Sequence, residues 1–152
     1  MPETPSSAPL DRSAIAALIP HAGAMCLLDI VAAWDTQQLH ARSASHLDLR
    51  HPLRGPAGLH AVHLAEYGAQ AMALHGALRE RAAGPRSAPR AGRLVSLREL
   101  ELSVENVPAH GVLDVHAVCL YADSRGAQYA FRVALAGALL ACGRVAVIHP
   151  EG

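Results

Sequence analysis

The segment from about Leu59 to Ala83 constrains the fold of this chain more than any other. It contains no proline, few β-branched residues and strong helix formers at almost every position, so it predicts one long helix. Around its middle, the side chains are apolar or very small on nearly every side. A helix with this pattern is enclosed by other structure, because a helix on a protein surface keeps one polar face. Only the last turns, Arg79–Arg81, have the polar character of a solvated helix.

The segments on either side of this helix have the pattern of β-strands. Before it, Met25–Trp34 and Gln37–Ser45 predict two strands that turn at Asp35–Thr36. After it, four antiparallel strands are predicted, at Leu94–Val104, Val112–Tyr121, Gln128–Leu135 and Leu139–Ile148. In the first of these four, the apolar alternation changes phase near Arg98–Glu99, which predicts a bulge or bend there.

The predicted order is a short helix, two strands, the long helix and four strands. A helix that is apolar all round needs a sheet curved around it, since a flat sheet covers only one of its faces. We therefore predict an α+β chain with the hotdog fold, a curved antiparallel sheet wrapped around one long central helix; a generic α+β sandwich is the alternative. Residues 1–10 are rich in proline and serine and predict a disordered leader, and residues 11–150 predict a single hotdog domain.

Composition argues against several classes of function. Thirteen basic and thirteen acidic residues give a formal net charge of zero, so nucleic acid and anionic membranes are not expected partners. The most membrane-like run, Val133–Gly143, is shorter than the roughly 20 residues that span a bilayer, and no secretory signal is recognisable, so we expect a cytoplasmic protein. The three cysteines lie far apart and form no CxxC pair, which indicates neither a disulfide framework nor a zinc cluster.

Glu66 is the residue that most strongly suggests chemistry. It lies within the long helix beside Ala65 and Gly68, where an unpaired carboxylate costs on the order of several kcal/mol of desolvation. A buried carboxyl group holds its proton more strongly than an exposed one, which suits an acid or base that exchanges one proton with a substrate. The alternative is a helix carboxylate that reaches solvent or an arginine.

Two stretches of the chain resemble the signatures of a known family, the 3-hydroxyacyl-ACP dehydratases, which have the hotdog fold. The LPH…MLLLD signature is matched by Ile19-Pro20-His21 and then Met25-Cys26-Leu27-Leu28-Asp29, and the E-x-M-A-Q-A signature by Glu66-Tyr67-Gly68-Ala69-Gln70-Ala71. Their order and separation also match. The resemblance covers residues 15–148 and is strongest to the dehydratase-like branch found in bacterial aryl polyene gene clusters, where a tryptophan such as Trp34 often follows the first strand.

This resemblance implies dehydration of a 3-hydroxyacyl thioester to the trans-2-enoyl thioester in fatty acid or polyketide-type biosynthesis. The substrate is carried on the phosphopantetheine arm of acyl carrier protein, and no further cofactor is expected. By resemblance, Glu66 acts as the acid for the departing 3-hydroxyl and Gln70 orients the site. A backbone N–H between Gly58 and Ala61 would stabilise charge on the thioester oxygen. The family usually draws its histidine and carboxylate from different subunits, so a homodimer or a heterodimer with another hotdog subunit is expected.

The sequence leaves the histidine of this pair open. The better-known dehydratases carry it in a G-H-F-P loop, whereas the loop here reads Arg50-His51-Pro52-Leu53-Arg54-Gly55. His51, fifteen residues before Glu66, and His21, within the first signature, are the two candidates. A third possibility is that neither acts and the chain is a catalytically silent partner subunit. A hotdog acyl thioesterase, in which Glu66 activates water, is the other enzymatic alternative.

Two further features near the helix have alternative interpretations. His63 lies one helical turn before Glu66, and we include it among the expected substrate-binding residues. Together with His60 these side chains have a spacing that could hold a metal, but helix metal motifs use positions i and i+4, so we predict no metal site. The stretch Arg79–Arg93 carries five arginines and one glutamate, and it is either a solvated connection or a docking patch for an acidic carrier protein.

Overall fold

The computed structural model describes residues 9–19, 23–84 and 93–149. Its helices and strands are α1 (Arg12–Leu18), β1 (Ile30–Trp34), β2 (Gln38–Ser43), α2 (Leu64–Ala83), β3 (Arg93–Leu102), β4 (Leu113–Ala122), β5 (Gly126–Leu135) and β6 (Ala138–Ile148). Three short 3-10 turns, at Gly23–Met25, Ser45–Leu47 and Ala61–His63, lie in the connections. The predicted order of elements is confirmed. Within the described ranges, neither helix combines the length and apolar character needed to cross a membrane.

All six strands form one antiparallel sheet in the order β1-β2-β4-β5-β6-β3. The helix α2 lies against β2, β4, β5 and β6, so the sheet covers it along several of its sides. This is the predicted hotdog architecture, which is therefore confirmed. Most of the predicted leader lies outside the described residues. Its last residue, Leu10, forms a β-bridge with Val31 and so lies along β1.

Side chains along the central strands are alternately buried and exposed, and the buried ones form the core. In β5, Tyr129, Phe131 and Val133 are buried against the helix, whereas Arg132 between them is exposed. In a strand, successive side chains point to opposite faces, so one face of β5 lies in the core and the other faces out. The register continues this division into β4, where the buried Ala117 is paired with Phe131.

Gly68 marks the closest approach of α2 to the sheet. A Cβ atom at this position would overlap the ring of Phe131, so only glycine lets the helix pack at this depth. The Phe131 ring also passes close to Gly143 on β6. Gly68 thus makes room for the Cγ end of the Phe131 ring and Gly143 for its Cζ end, between helix and sheet.

The bulge predicted in β3 is confirmed. The pairing of β3 with β6 shifts register between Arg98 and Glu101, and Glu99 takes a φ of 55°. A non-glycine residue in this left-handed conformation is uncommon outside turns and bulges. The extra residue reconciles the two apolar phases of the strand.

Two predicted boundaries are wrong by several residues. The strand predicted over Met25–Trp34 begins only at Ile30, because side chains rather than a neighbouring strand bond the backbone of Leu27. The helix predicted from Leu59 begins as an α-helix at Leu64. The preceding turn is a 3-10 helix in which the ring Nδ1 of His60 accepts a hydrogen bond from the Val62 N–H at 3.0 Å.

Candidate active site

Glu66 lies in the first turn of α2 and is half-buried, which is intermediate between the buried and the solvent-exposed alternatives that the sequence leaves open. The residue that enters the interior is its neighbour Tyr67, which is fully buried. Adjacent residues of an α-helix point about 100° apart, so burying Tyr67 turns the carboxylate toward the rim of the core. An acidic side chain in the first turn is also favoured by the partial positive charge at a helix N-terminus.

His51 lies in the loop between β2 and α2 and is 5% exposed. Its Nδ1 accepts a hydrogen bond from the Leu53 backbone N–H at 3.1 Å, and its Nε2 lies 3.0 Å from the Tyr67 hydroxyl. Because a backbone N–H can only donate, Nδ1 carries no proton in the neutral ring, and Nε2–H donates to Tyr67. Burial lowers the pKa of His51, although the nearby Asp48 carboxylate opposes this, so the neutral form is favoured.

The hydrogen bonds continue from Tyr67 to the backbone before β1. The Tyr67 hydroxyl lies 2.7 Å from Ser45 Oγ, which donates to the carbonyl oxygen of Leu27 at 2.8 Å. Burial raises the pKa of Tyr67 to about 12, so its hydroxyl keeps its proton at neutral pH. We call this series of side chains the His51–Tyr67–Ser45 chain.

Gln70, predicted to orient the site, is fully buried one turn after Tyr67 on α2. Its Oε1 accepts a hydrogen bond from the Leu27 N–H at 2.9 Å, and its Nε2 donates to the Met25 carbonyl oxygen at 2.7 Å. The amide thus fastens the Met25–Leu27 segment to the helix. The two sequence signatures are therefore in direct contact, because Gln70 of the second binds the backbone of the first.

A pocket of about 260 Å³ opens beside His51. The Asp29 carboxylate lines it, with Oδ1 accepting from Arg12 Nη1 at 3.1 Å and Oδ2 accepting from the Ala44 N–H at 2.7 Å. The full lining is Arg12, Asp29, Ala44, Ser45, Asp48, His51 and Pro52. Glu66 is not among the residues that line this pocket beside His51.

The other predicted site residues have different surroundings. His21 lies outside the described residues. His63 is half-buried at the start of α2. The N–H of Gly58 donates to the Gly55 carbonyl oxygen at 3.1 Å, and the N–H of Ala61 donates to that of Glu105 at 2.8 Å. These two backbone groups of the range predicted to stabilise the thioester oxygen therefore already have partners.

Sequence reasoning missed the roles of Tyr67, Ser45 and Arg12. Tyr67 gave one usable signal, a phenolic hydroxyl in the enclosed part of the helix, since a buried hydroxyl needs a hydrogen-bond partner. Asp29, within an otherwise apolar run, gave a similar one. Nothing local to Ser45 or Arg12 distinguishes them, because their partners lie far away in the chain.

The fold and this polar site beside the first turn of the central helix define a protein of the hotdog class. The chain belongs to the ApeP-like family, described as ApeP dehydratase, whose family model matches residues 13–152. The family predicted from the two signatures is confirmed, and the chain is a dehydratase at the level of its family. A comparison with curated proteins gives no match.

Solved structures support the fold. The chain is similar to the dehydratase heterocomplex ApeI:P from Xenorhabdus doucetiae, with a TM-score of 0.78 and 23% identity over 90% of this chain and 91% of that chain. It is also similar to AziG from S. sahachiroi, with a TM-score of 0.54 and 20% identity over 80% of this chain and 90% of that chain. A thioesterase from Haemophilus influenzae has a TM-score of 0.59 and 12% identity over 80% of this chain and 77% of that chain.

Proposed function

We propose that this chain is one subunit of a heterodimeric hotdog dehydratase, whose active site is completed by a second hotdog subunit. The substrate is a 3-hydroxyacyl thioester on the phosphopantetheine arm of acyl carrier protein, and the product is the trans-2-enoyl thioester. The family match and the likeness to a dehydratase heterocomplex support this proposal. The reaction needs a base that takes the proton from Cα and an acid that protonates the departing 3-hydroxyl.

We assign the acid to Glu66. Its half-buried position in the first turn of α2 leaves it within reach of a substrate while limiting its contact with water. The protonated carboxyl gives its proton to the 3-hydroxyl, the C–O bond breaks, and the electron pair of the Cα–H bond forms the double bond. The carboxylate left behind is stabilised by the helix N-terminus.

A histidine that acts as the base needs an imidazole nitrogen with a free lone pair. This requirement is the main reason for proposing a second subunit. In His51 the Nδ1 lone pair accepts the Leu53 N–H, and Nε2 carries the proton donated to Tyr67. His51 can therefore take the Cα proton only after Leu53 releases Nδ1. His21 is the other candidate in this chain. We propose that a histidine of the second subunit is the base, because His51 is already saturated.

The sheet offers one edge to such a subunit. The edge strand β1 is bridged by Leu10, whose N–H and carbonyl bond Val31 at 3.2 and 2.9 Å. The other edge strand, β3, pairs only with β6 among the strands of the described ranges. It exposes Leu94 by 50% and Leu97 by 41%. An uncovered strand edge with exposed apolar side chains favours pairing with another chain.

This chain has a candidate docking surface for the carrier protein near the end of α2. Arg81 lies in the last turn of α2 and Arg93 begins β3, and the arginine-rich connection between them falls mostly in residues 85–92, outside the described ranges. We propose that these basic residues attract the acidic carrier protein. Such an attraction weakens as ionic strength rises, so salt dependence of the KM for the carried substrate is expected.

The test uses this chain alone and mixed with a second hotdog dehydratase subunit, supplied with a 3-hydroxyacyl carrier protein. Enoyl absorbance reports dehydration, and free thiol reports thioester hydrolysis. We expect dehydration by the complex only, and a loss of about 100-fold or more in Glu66→Gln, as for removal of a general acid.

Three results would overturn this assignment. Full activity in the complex that carries Glu66→Gln would show that Glu66 is not the acid. Dehydration by the isolated chain would place the base in this chain, and His51→Ala and His21→Ala would then identify it. Release of free thiol without enoyl product would indicate the thioesterase alternative.

A further inference from the structure

We propose that Tyr67 is a positioning residue of this site: its buried hydroxyl holds the His51 ring in one tautomer and one orientation. The inference deepens the proposed function, on which its catalytic part rests. Its structural part concerns only the hydrogen bonds of the His51–Tyr67–Ser45 chain and is testable whether or not the protein dehydrates anything.

The hydrogen bonds of the His51–Tyr67–Ser45 chain end at two backbone groups, one of which can only donate and the other only accept. The Leu53 N–H can only donate and the Leu27 carbonyl can only accept. Between them the neutral imidazole, the phenol and the serine hydroxyl bring one proton each, which fills the three bonds in one direction. Nε2–H of His51 donates to Tyr67, Tyr67 donates to Ser45, and Ser45 donates to Leu27.

The neighbouring serine is consistent with this direction. Ser43 Oγ donates to the same Leu27 carbonyl and accepts the Ser45 N–H at 3.1 Å. Because its proton is used at Leu27, Ser43 Oγ can only accept at its 2.8 Å contact with Ser45 Oγ. The Ser45 proton therefore lies toward Leu27 and Ser43, which leaves Ser45 Oγ free to accept from Tyr67. Reversing the His51–Tyr67 bond would put a proton on Nδ1 and set it against the Leu53 N–H, and reversing the Tyr67–Ser45 bond would leave the buried Tyr67 proton without an acceptor. Either change costs about 1 to 3 kcal/mol for each unsatisfied group.

Tyr67 acts through its partners. His51 and Ser45 line the 260 Å³ pocket, whereas Tyr67, 0% exposed, is not among the lining residues. Without the Tyr67 hydroxyl, Nε2–H of His51 loses its acceptor, and the Leu53 N–H is the remaining hydrogen bond that orients the ring. The part of the pocket wall that His51 forms then loses its fixed geometry.

The structural test follows the ring nitrogens of His51 by NMR on protein labelled with ¹⁵N-histidine, with His51→Gln assigning the signals. In the wild-type protein we expect one tautomer, protonated at Nε2 and unprotonated at Nδ1. In Tyr67→Phe we expect averaged or doubled His51 signals. A wild-type ring protonated at Nδ1, or unchanged His51 signals in Tyr67→Phe, would overturn the proposal.

Tyr129→Phe is the matched control. Tyr129 is also buried, and its hydroxyl bonds the Nδ1 of a different buried histidine, His75. This variant removes the same atom from the same kind of environment, so we expect it to change the signals of His75 and leave those of His51 unchanged. A change in His51 signals in both variants would indicate a general loosening of the core and contradict a specific role for Tyr67. The wild-type tautomer keeps the proposal testable even where Tyr67→Phe does not fold.

The catalytic part of the proposal is tested by measuring kcat and KM of the complex with the second subunit. For a positioning role we expect Tyr67→Phe to lower kcat about tenfold and to leave KM within about twofold, since misplaced groups slow the chemical step. An unchanged kcat beside altered NMR signals would overturn the catalytic part. Absence of enoyl product in every variant, wild type included, would refute the proposed function and leave the NMR result standing.

Discussion

At the scale of single residues, Gly68 gives the sharpest prediction on stability. A methyl group at this position would overlap the Phe131 ring, which is itself packed against Gly143 and has little room to move. We expect Gly68→Ala to lower the free energy of unfolding by about 1 to 3 kcal/mol, the usual cost of overpacking a core. Urea unfolding followed by circular dichroism measures this change.

Gly76 provides the control in the same helix. A Cβ added there meets nothing within 4 Å, so Gly76→Ala gains helix propensity without a clash. We expect it to raise the free energy of unfolding by about 0.5 to 1 kcal/mol. If Gly68→Ala were as stabilising as Gly76→Ala, the tight contact with Phe131 would not exist in solution.

The chemistry of the site was only partly predictable residue by residue. Glu66 was visible in the sequence because a charge within an apolar helix is conspicuous, but its half-buried position was not, since an all-round apolar pattern does not show which side faces the core. The hydrogen bonding of His51 depends on Tyr67, sixteen residues later in the chain. A single sequence gives no measure of such a distant contact.

At the scale of elements, hydrophobic alternation predicted the strands well, because burial on one face of a sheet imposes a period of two. It failed at the start of β1, because the apolar residues begin earlier in the sequence than the hydrogen bonds to the neighbouring strand. There the Leu27 backbone is satisfied by Gln70, Ser43 and Ser45. Alternation reports which side chains are buried, not which groups bond the backbone.

The open edge of β3 gives the prediction at this scale. We expect Leu97→Glu to weaken assembly with the second hotdog subunit by at least about tenfold in Kd, because a charge at the centre of an interface must be desolvated. Sedimentation of the mixed subunits measures the affinity. Leu49→Glu is the control, since Leu49 is 78% exposed in the loop that follows β2, and three strands separate β2 from β3 in the sheet. Equal effects of the two changes would place the interface elsewhere.

At the scale of the whole molecule, the fold followed from one argument, that a helix apolar on all sides must be wrapped. An apolar helix determines how the core of the chain is built, but not how the loops at its surface meet. The polar site lies between the helix and the segments that flank β1 and β2, so its geometry depends on how loops meet. Loops carry no periodic pattern, which is why the pocket could not be located from the sequence.

The pH dependence of stability is also a property of the whole fold, and it follows from the buried histidines. Burial lowers the pKa of His75, with its bond to the Asp35 carbonyl opposing the shift, and burial likewise lowers that of His51. In the unfolded chain a histidine titrates near pH 6.5, so below that pH the unfolded state binds more protons than the native one. Stability therefore rises with pH through this window and is lost on acidification below about pH 6.5.

We expect the free energy of unfolding by urea to be lower at pH 5.5 than at pH 7.5, in a range above the titration of most carboxylates. One proton contributes at most about 1.4 kcal/mol per pH unit, so the slope counts the histidines involved. His75→Gln removes one titrating group, and it should flatten the slope while lowering stability at both pH values, because the bonds to Asp35 and Tyr129 are disturbed. A slope in His75→Gln equal to that of the wild type would show that His75 is protonated as readily in the native protein as in the unfolded chain.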